Sequence, residues 1–201
     1  MRAEISFSTQ FISIGGRNSL SGNSGSPSCD PLTPANYGRA IQAYEATLKT
    51  PAAFDRYVGG EDGALSARQK KGLDAFIETG CASCHSGPLF GGTMFRKFGV
   101  NGDYWSATKS QKIDEGRFAV TKKEEDKYVF RVPMLRNIAR TAPYFHDGSV
   151  GKLEDAIAIM ARLQLGKTLD DAAVGDIAAF LESLSGETPV NYAPPGERPA
   201  R

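Results

Sequence analysis

Cysteine and histidine are scarce in this chain of 201 residues, which has three cysteines, two histidines and one tryptophan. Charge of one sign is also lacking, because the formal net charge is +1. The chain therefore has no basic field that would favour nucleic acid and no acidic field that would favour cations. No apolar run approaches the roughly 20 residues that span a membrane. Partners have to be inferred from a specific site.

The N-terminal region lacks the features of a secretory signal. Arg2 supplies one positive charge, but Glu4 and polar residues stand where an apolar segment should follow. Residues 15–28 are rich in Ser and Gly and are predicted to be disordered, because they offer little surface to bury. Cys29 lies beside this stretch and is expected to be a free thiol. Order is predicted to begin near Pro34, and the length suits one domain with appendages.

Two of the three cysteines and one of the two histidines stand together at Cys81, Cys84 and His85. This Cys-x-x-Cys-His spacing is typical of covalent attachment of c-type haem. The two thiols can each add to a vinyl group of the porphyrin, and the adjacent imidazole can bind the iron from one face. The sequence thus predicts one covalent haem c, held by Cys81 and Cys84, with His85 as an axial ligand.

Two other interpretations of the motif are weaker. A structural zinc site needs four ligands, and the remaining soft or borderline donors, Cys29 and His146, have no paired spacing. A thioredoxin-like redox pair should lie between a strand and a helix, whereas the residues before Cys81 have a helical pattern.

Four segments have the apolar periodicity of helices. They are residues 36–50, ended by Pro51; residues 66–79, with Ser66 as N-cap and Gly80 as the end; a helix starting near Lys152; and residues 171–185. Gly72 costs up to about 1 kcal/mol inside a helix. We therefore expect the helix of residues 171–185 to cross close to Gly72. Phe54–Tyr57 is predicted as a turn, residues 59–63 as a hinge-like loop, residues 86–131 as an irregular region and residues 122–127 as a solvated charged run.

Three stretches resemble the C-terminal half of the bacterial di-haem cytochrome c peroxidases. They are Cys84–Pro88, Arg131–Gly148 and Met160–Lys167, and the resemblance extends from about Asn36 to Ser185. It implies an all-α, cytochrome c-like domain with long irregular loops packed on the haem. It also implies peroxide reduction in the periplasm, with electrons from a c-type cytochrome or a cupredoxin. A homodimer is one expected assembly.

The second axial ligand decides the role of the haem. A thioether or an imidazole can close the position, so the candidates are Met94, Met134, Met160 and His146. Met94 follows His85 too closely to reach the other face of the ring easily. Met160 lies on an apolar helical face, where a methionine is more often part of the core. The resemblance implies that Met160 is the ligand of a high-potential haem.

Other site residues are less strongly indicated. Arg131 and Arg136 are candidates to pair with haem propionates, with a plain surface position as the alternative for each. The resemblance implies that the backbone carbonyls of Thr141 and Pro143 contribute to a calcium site, since carbonyl oxygens suit calcium. His146, in a turn, is expected to have a structural or outer-shell role rather than a catalytic one.

The chain departs from the family by having one haem motif instead of two, and no catalytic residue for peroxide can be assigned. We expect a disordered segment at residues 1–35, a linker helix and hinge at 36–63, the haem domain at 64–187 and a flexible tail at 188–201. Because c-type haem is attached outside the bacterial inner membrane, a missing upstream segment is also expected. Two hypotheses follow: the electron-entry domain of a peroxidase, or a mono-haem electron carrier without enzymatic activity.

Overall fold

The computed structural model describes residues 33–188. They fall into two compact units that divide between Ala43 and Tyr44. Helix α1 (Pro34–Glu45) has no buried residue, and it ends before Pro51, the residue predicted to stop it. The predicted disordered stretch, Cys29 and all but the first residue of the predicted tail lie outside the described residues. Within residues 33–188, no helix is both long enough and apolar enough to span a membrane.

The second unit is mainly helical, which confirms the predicted fold class. Its helices are α2 (Ala53–Val58), α3 (Ala67–Thr79), α4 (Tyr104–Thr108), α5 (Phe118–Thr121), α6 (Leu153–Leu165) and α7 (Asp171–Glu182). Two short strands, β1 (Phe95–Lys97) and β2 (Val129–Arg131), pair antiparallel with Phe95 opposite Arg131. The sequence did not indicate this small sheet, because three-residue strands are too short to show alternation.

Helix α3 begins and ends as its sequence predicts. The Ser66 hydroxyl accepts a hydrogen bond from the Gln69 amide at 3.2 Å, and the Gln69 side chain accepts one from the Ser66 amide at 2.9 Å. This reciprocal capping box satisfies two backbone donors that a helix start leaves free. At the other end, Gly80 adopts the left-handed conformation. The haem motif thus starts directly after a sharply terminated helix.

The predicted crossing of α3 and α7 is confirmed at Gly72. A Cβ atom at this position would lie 1.8 Å from the Asp176 carbonyl oxygen and 2.9 Å from Cβ of Phe180. Only glycine permits so close an approach. The crossing helps to form a core in which Phe180 contacts Phe76 and Phe54, with ring centroids 5.3 and 5.6 Å apart. Phe54, from the predicted linker, therefore belongs to the same core as the helix that precedes the haem motif.

Two local predictions were wrong. The residues Phe54–Tyr57 lie inside α2 rather than in a turn. The charged run at residues 122–127 is not wholly solvated, because Asp126 is buried and pairs with Arg117 at 3.1 Å. In both segments a tertiary contact outside the segment, Phe180 with Phe54 and Arg117 with Asp126, is not visible in the segment's own sequence.

Candidate haem-binding site

The Cys-x-x-Cys-His motif forms a compact turn at the end of α3. Residues Cys81–Ser83 make a short 3-10 helix. The amides of Cys84 and His85 both donate to the Cys81 carbonyl, at 3.2 and 3.0 Å. Local hydrogen bonds thus hold both cysteines and the histidine close together, and both cysteines are free thiols in the structure.

This turn borders a largely apolar cavity of about 450 Å³. Cys81, Cys84 and His85 line it together with Met160. The volume lies within the roughly 300–1,000 Å³ that is common for ligand pockets. Two thiols suit covalent attachment to the porphyrin, and an imidazole and a thioether in the same apolar cavity are side chains that can bind haem iron. The residues present therefore fit the group that the motif predicts.

His85 is oriented by the main chain. Its Nδ1 atom lies 3.3 Å from the Phe90 carbonyl oxygen. With Nδ1 donating to a carbonyl, Nε2 keeps its lone pair for a metal ion. Burial lowers the pKa of His85, while hydrogen bonds to the carbonyls of Phe90 and Pro133 act in the opposite direction. The neutral imidazole is therefore favoured, which is the form that binds iron.

Gly91 permits the close main-chain contact beside this histidine. Its φ is +129°, and a Cβ atom there would lie 2.1 Å from the Pro133 carbonyl oxygen. The same Cβ atom would lie 3.4 Å from Nδ1 of His85. A side chain at position 91 would therefore push apart the two segments that orient the imidazole.

The Cys81 thiol lies in apolar surroundings. Burial raises its pKa to about 11. In the described residues, no group of three or more His, Cys, Asp or Glu side chains could hold a metal ion. The described residues therefore offer no set of four ligands for a structural zinc site.

Helix α6 turns one face toward the cavity. The helix starts after Lys152, as predicted, and residues spaced three and four apart line the cavity, namely Leu153, Ala156, Ile157, Met160, Ala161 and Gln164. Met134 and His146 also line it, but Met94 is not among the lining residues. Three of the four candidate axial ligands therefore line the cavity, and Met160 is the one that lies on a long helix.

His146 lies in an aromatic cluster at the cavity. Its ring stacks on Phe130 with centroids 4.3 Å apart and meets Tyr104 edge-on at 5.2 Å. The residue as a whole is exposed. These ring contacts agree with a structural or outer-shell position, and its role remains a prediction.

The two predicted propionate partners are placed differently. Arg131 lines the cavity, and its Nε donates to the Gly92 carbonyl at 2.8 Å. Arg136 is not among the lining residues; its guanidinium donates to both carboxylate oxygens of Asp55, at 2.6 and 2.7 Å. Arg96, which the sequence did not single out, lines the cavity instead. No local pattern could distinguish these arginines, because their partners are distant in sequence.

Thr141 and Pro143 also line the cavity, and both residues are exposed at the protein surface. The Thr141 hydroxyl donates to the Ile138 carbonyl at 3.1 Å, so the side chain is used locally. The predicted calcium contribution concerns the backbone carbonyls and remains a prediction.

Comparison with known proteins gives the same family as the motifs. The chain is 52% identical over 160 residues to the cytochrome c551 peroxidase of Pseudomonas aeruginosa, a match covering 79% of this chain and 46% of that protein. It is 45% identical over 152 residues to the cytochrome c peroxidase Ccp of Escherichia coli, covering 75% of this chain and 32% of that protein. The chain thus spans less than half the length of either relative. No protein-family model matches the chain.

A solved structure supports the same fold. A MauG-like protein associated with microbial copper homeostasis aligns with a TM-score of 0.62 at 26% sequence identity, covering 78% of this chain and 58% of that one. The fold, the haem motif and the sequence relatives agree with one another. The chain therefore belongs to the bacterial di-haem cytochrome c peroxidase family, and it spans about half the length or less of the relatives that it matches.

Proposed function

We propose that this chain carries the haem at which electrons enter a cytochrome c peroxidase. Cys81 and Cys84 hold the haem covalently, and His85 and Met160 are its axial ligands. One observation carries the proposal: the motif at the end of α3 and Met160 of α6 line the same apolar cavity. The chain's relatives include cytochrome c peroxidases, which supports a role for this electron-accepting site in the reduction of hydrogen peroxide.

The proposed ligand pair favours electron acceptance. When bound, haem supplies one-electron redox chemistry, and a thioether ligand raises its reduction potential. His85 contributes an imidazole that is oriented by the Phe90 carbonyl. The α6 face contributes apolar contacts that exclude water, and a drier surrounding also tunes the potential. With two protein ligands, the site is suited to passing electrons rather than to binding peroxide.

Charged residues complete the proposed site. Arg131 and Arg96 are the guanidinium groups that we assign to the haem propionates, since a planar guanidinium matches a carboxylate.

The backbone carbonyls of Thr141 and Pro143 are assigned to calcium by family resemblance. The donor is a small redox protein, a c-type cytochrome or a cupredoxin, and the location is the periplasm, where c-type haem is attached.

The ligand assignment is tested by the absorption spectrum of the haem-loaded ferric protein. Met160→Ala should lose the long-wavelength charge-transfer band of thioether-ligated iron. Met134→Leu is the matched control, because Met134 also lines the cavity, and it should keep the band. Persistence of the band in Met160→Ala would overturn the assignment.

A stand-alone electron carrier is the second candidate function. It is favoured by the cavity lining, where Met160 lies together with His85, so that two protein ligands would leave the iron no open position for peroxide. We expect the haem-loaded chain to exchange electrons with a reduced c-type cytochrome and to leave hydrogen peroxide unconsumed. Peroxide consumption by the chain alone would exclude the carrier function.

A further inference from the structure

Lys167 connects the helix that carries Met160 to the helix that leads into the haem motif. Its backbone amide donates to the Ala161 carbonyl at 3.0 Å. Gly166, between Lys167 and the last residue of α6, adopts the left-handed conformation that ends the helix. The main chain of Lys167 is therefore fixed to the residue that follows Met160.

The side chain of Lys167 reaches a different helix. Its Nζ atom donates to the Thr79 carbonyl at 2.9 Å and to the Glu78 carbonyl at 3.2 Å. These are the last two residues of α3, whose carbonyls have no partner within the helix. An ammonium group is favoured there, because the C-terminal end of a helix carries partial negative charge.

The connection is close to the haem attachment point. Cys81 follows Thr79 by two positions, and Leu165 lies against Gly80, where a Cβ atom would be 3.7 Å from the leucine side chain. Burial raises the pKa of the Cys81 thiol, and the charge of Lys167 acts in the opposite direction with a smaller effect. Leu165, Gly80 and Cys81 all line the cavity. Lys167 thus connects α6, which carries Met160, with the end of α3, which leads to His85.

We propose that Lys167 is a positioning residue that keeps α6, and with it Met160, at the spacing from the haem motif that the thioether–iron bond requires. This inference rests on the proposed His85 and Met160 ligation. A thioether is a weak neutral ligand, so a small displacement of its helix should weaken the bond measurably. A residue that only caps α3 would raise the free energy of unfolding without changing the strength of the thioether–iron bond.

The experiment measures how readily added imidazole displaces the methionine in the ferric haem-loaded protein. Lys167→Met removes the donor and keeps a long side chain, and imidazole should bind about threefold to tenfold more tightly than in the unchanged protein. Lys167→Arg retains donors and charge, and it should restore most of the original affinity. Lys152→Met is the matched control, since it removes a lysine from the other end of α6, and it should leave imidazole binding unchanged.

The outcomes separate the two proposals. Equal imidazole affinity in Lys167→Met and the unchanged protein, with any loss confined to thermal stability, would overturn the positioning role. If Lys167→Met does not accumulate with haem, the same comparison is made with Lys167→Gln, a shorter neutral donor. Retention of the charge-transfer band in Met160→Ala overturns the ligand assignment and the positioning role together, whereas its loss leaves the imidazole measurement to decide the role of Lys167 alone.

Discussion

The backbone of Asp176 in α7 occupies the space that a side chain at Gly72 of α3 would need, with 1.8 Å between the Asp176 carbonyl oxygen and a Cβ at position 72. The two helices cross here, near the middle of α3. Their separation therefore affects the core in which Phe76 and Phe180 are in contact.

Gly72→Ala is expected to destabilise the protein. Overpacking a helix crossing costs about 1–3 kcal/mol or more, and the gain in helix propensity, about 1 kcal/mol, offsets it only in part. Chemical denaturation of the haem-loaded protein measures the difference. Gly175→Ala in α7 is the matched control, because its Cβ would meet only the end of the flexible Arg68 side chain, at 2.6 Å. A smaller loss for Gly72→Ala than for Gly175→Ala would contradict the crossing.

Asp176 should make stability dependent on acid pH. Lys71 contacts one of its oxygens at 2.7 Å and Arg68 the other at 3.1 Å. The hydrogen bond from Lys71 is the main cause of the lowered pKa of Asp176, and burial acts against it. A carboxyl whose pKa is lowered in the folded state stabilises the protein at pH values above its ordinary pKa of 3.8. This contribution is lost as the pH falls through the lower pKa of the folded state.

Denaturation at several pH values tests this linkage. Asp176→Asn should be less stable than the unchanged protein near neutral pH, and the difference should shrink below about pH 4, where the unfolded carboxyl becomes protonated. If the difference in the free energy of unfolding stays constant down to pH 2, the ion pairs of Asp176 with Lys71 and Arg68 contribute nothing to stability.

Arg131 and Arg136 should respond differently to replacement by glutamine. Arg131→Gln should lower the reduction potential, because a cation near the propionates favours ferrous haem. An exposed ion pair contributes about 0.2–1 kcal/mol, or roughly 10–40 mV for one electron. Arg136→Gln should leave the potential unchanged but reduce stability by about 1 kcal/mol, since Asp55 loses a bidentate partner. Redox titration and denaturation of both variants make the comparison, and equal shifts in potential would refute the distinction.

Gln164 should hold the loop after β1 against α6. Its side-chain oxygen accepts from the Gly99 amide at 2.7 Å, and its amide donates to the Lys97 carbonyl at 2.9 Å. Gln164→Leu removes both hydrogen bonds and should cost about 0.5–1.5 kcal/mol, because water can reach the exposed Lys97 carbonyl. Faster hydrogen exchange at the Gly99 amide would report the loss directly.

Gln164→Glu is the matched variant for this test. It keeps the acceptor for Gly99 but loses the donor for Lys97, so protection of the Gly99 amide should be largely retained. Fast exchange in both variants would show that the loop depends on the amide group as a whole and not on the bond to Gly99.

Features decided by neighbouring residues could be predicted from the sequence. The haem motif, the capping of α3 by Ser66 and its end at Gly80 are local, and each depends on residues within a few positions. The crossing at Gly72 was also predictable, because a glycine inside a helix is costly unless another element needs the space. The small sheet and the burial of Asp126 were not, since each depends on contacts with residues outside its own short segment.

The sequence by itself determined which chemistry is present: two thiols and an imidazole at the spacing that attaches haem, and a methionine on a helical face. Only the tertiary structure decided which side chains share the cavity. Arg131 and Arg136 have the same side chain and lie five positions apart, yet one borders the cavity and the other pairs with Asp55, 81 positions away. The physical reason is that a guanidinium pairs with whichever carboxylate or carbonyl the fold brings near it. The local sequence does not show which residue that will be.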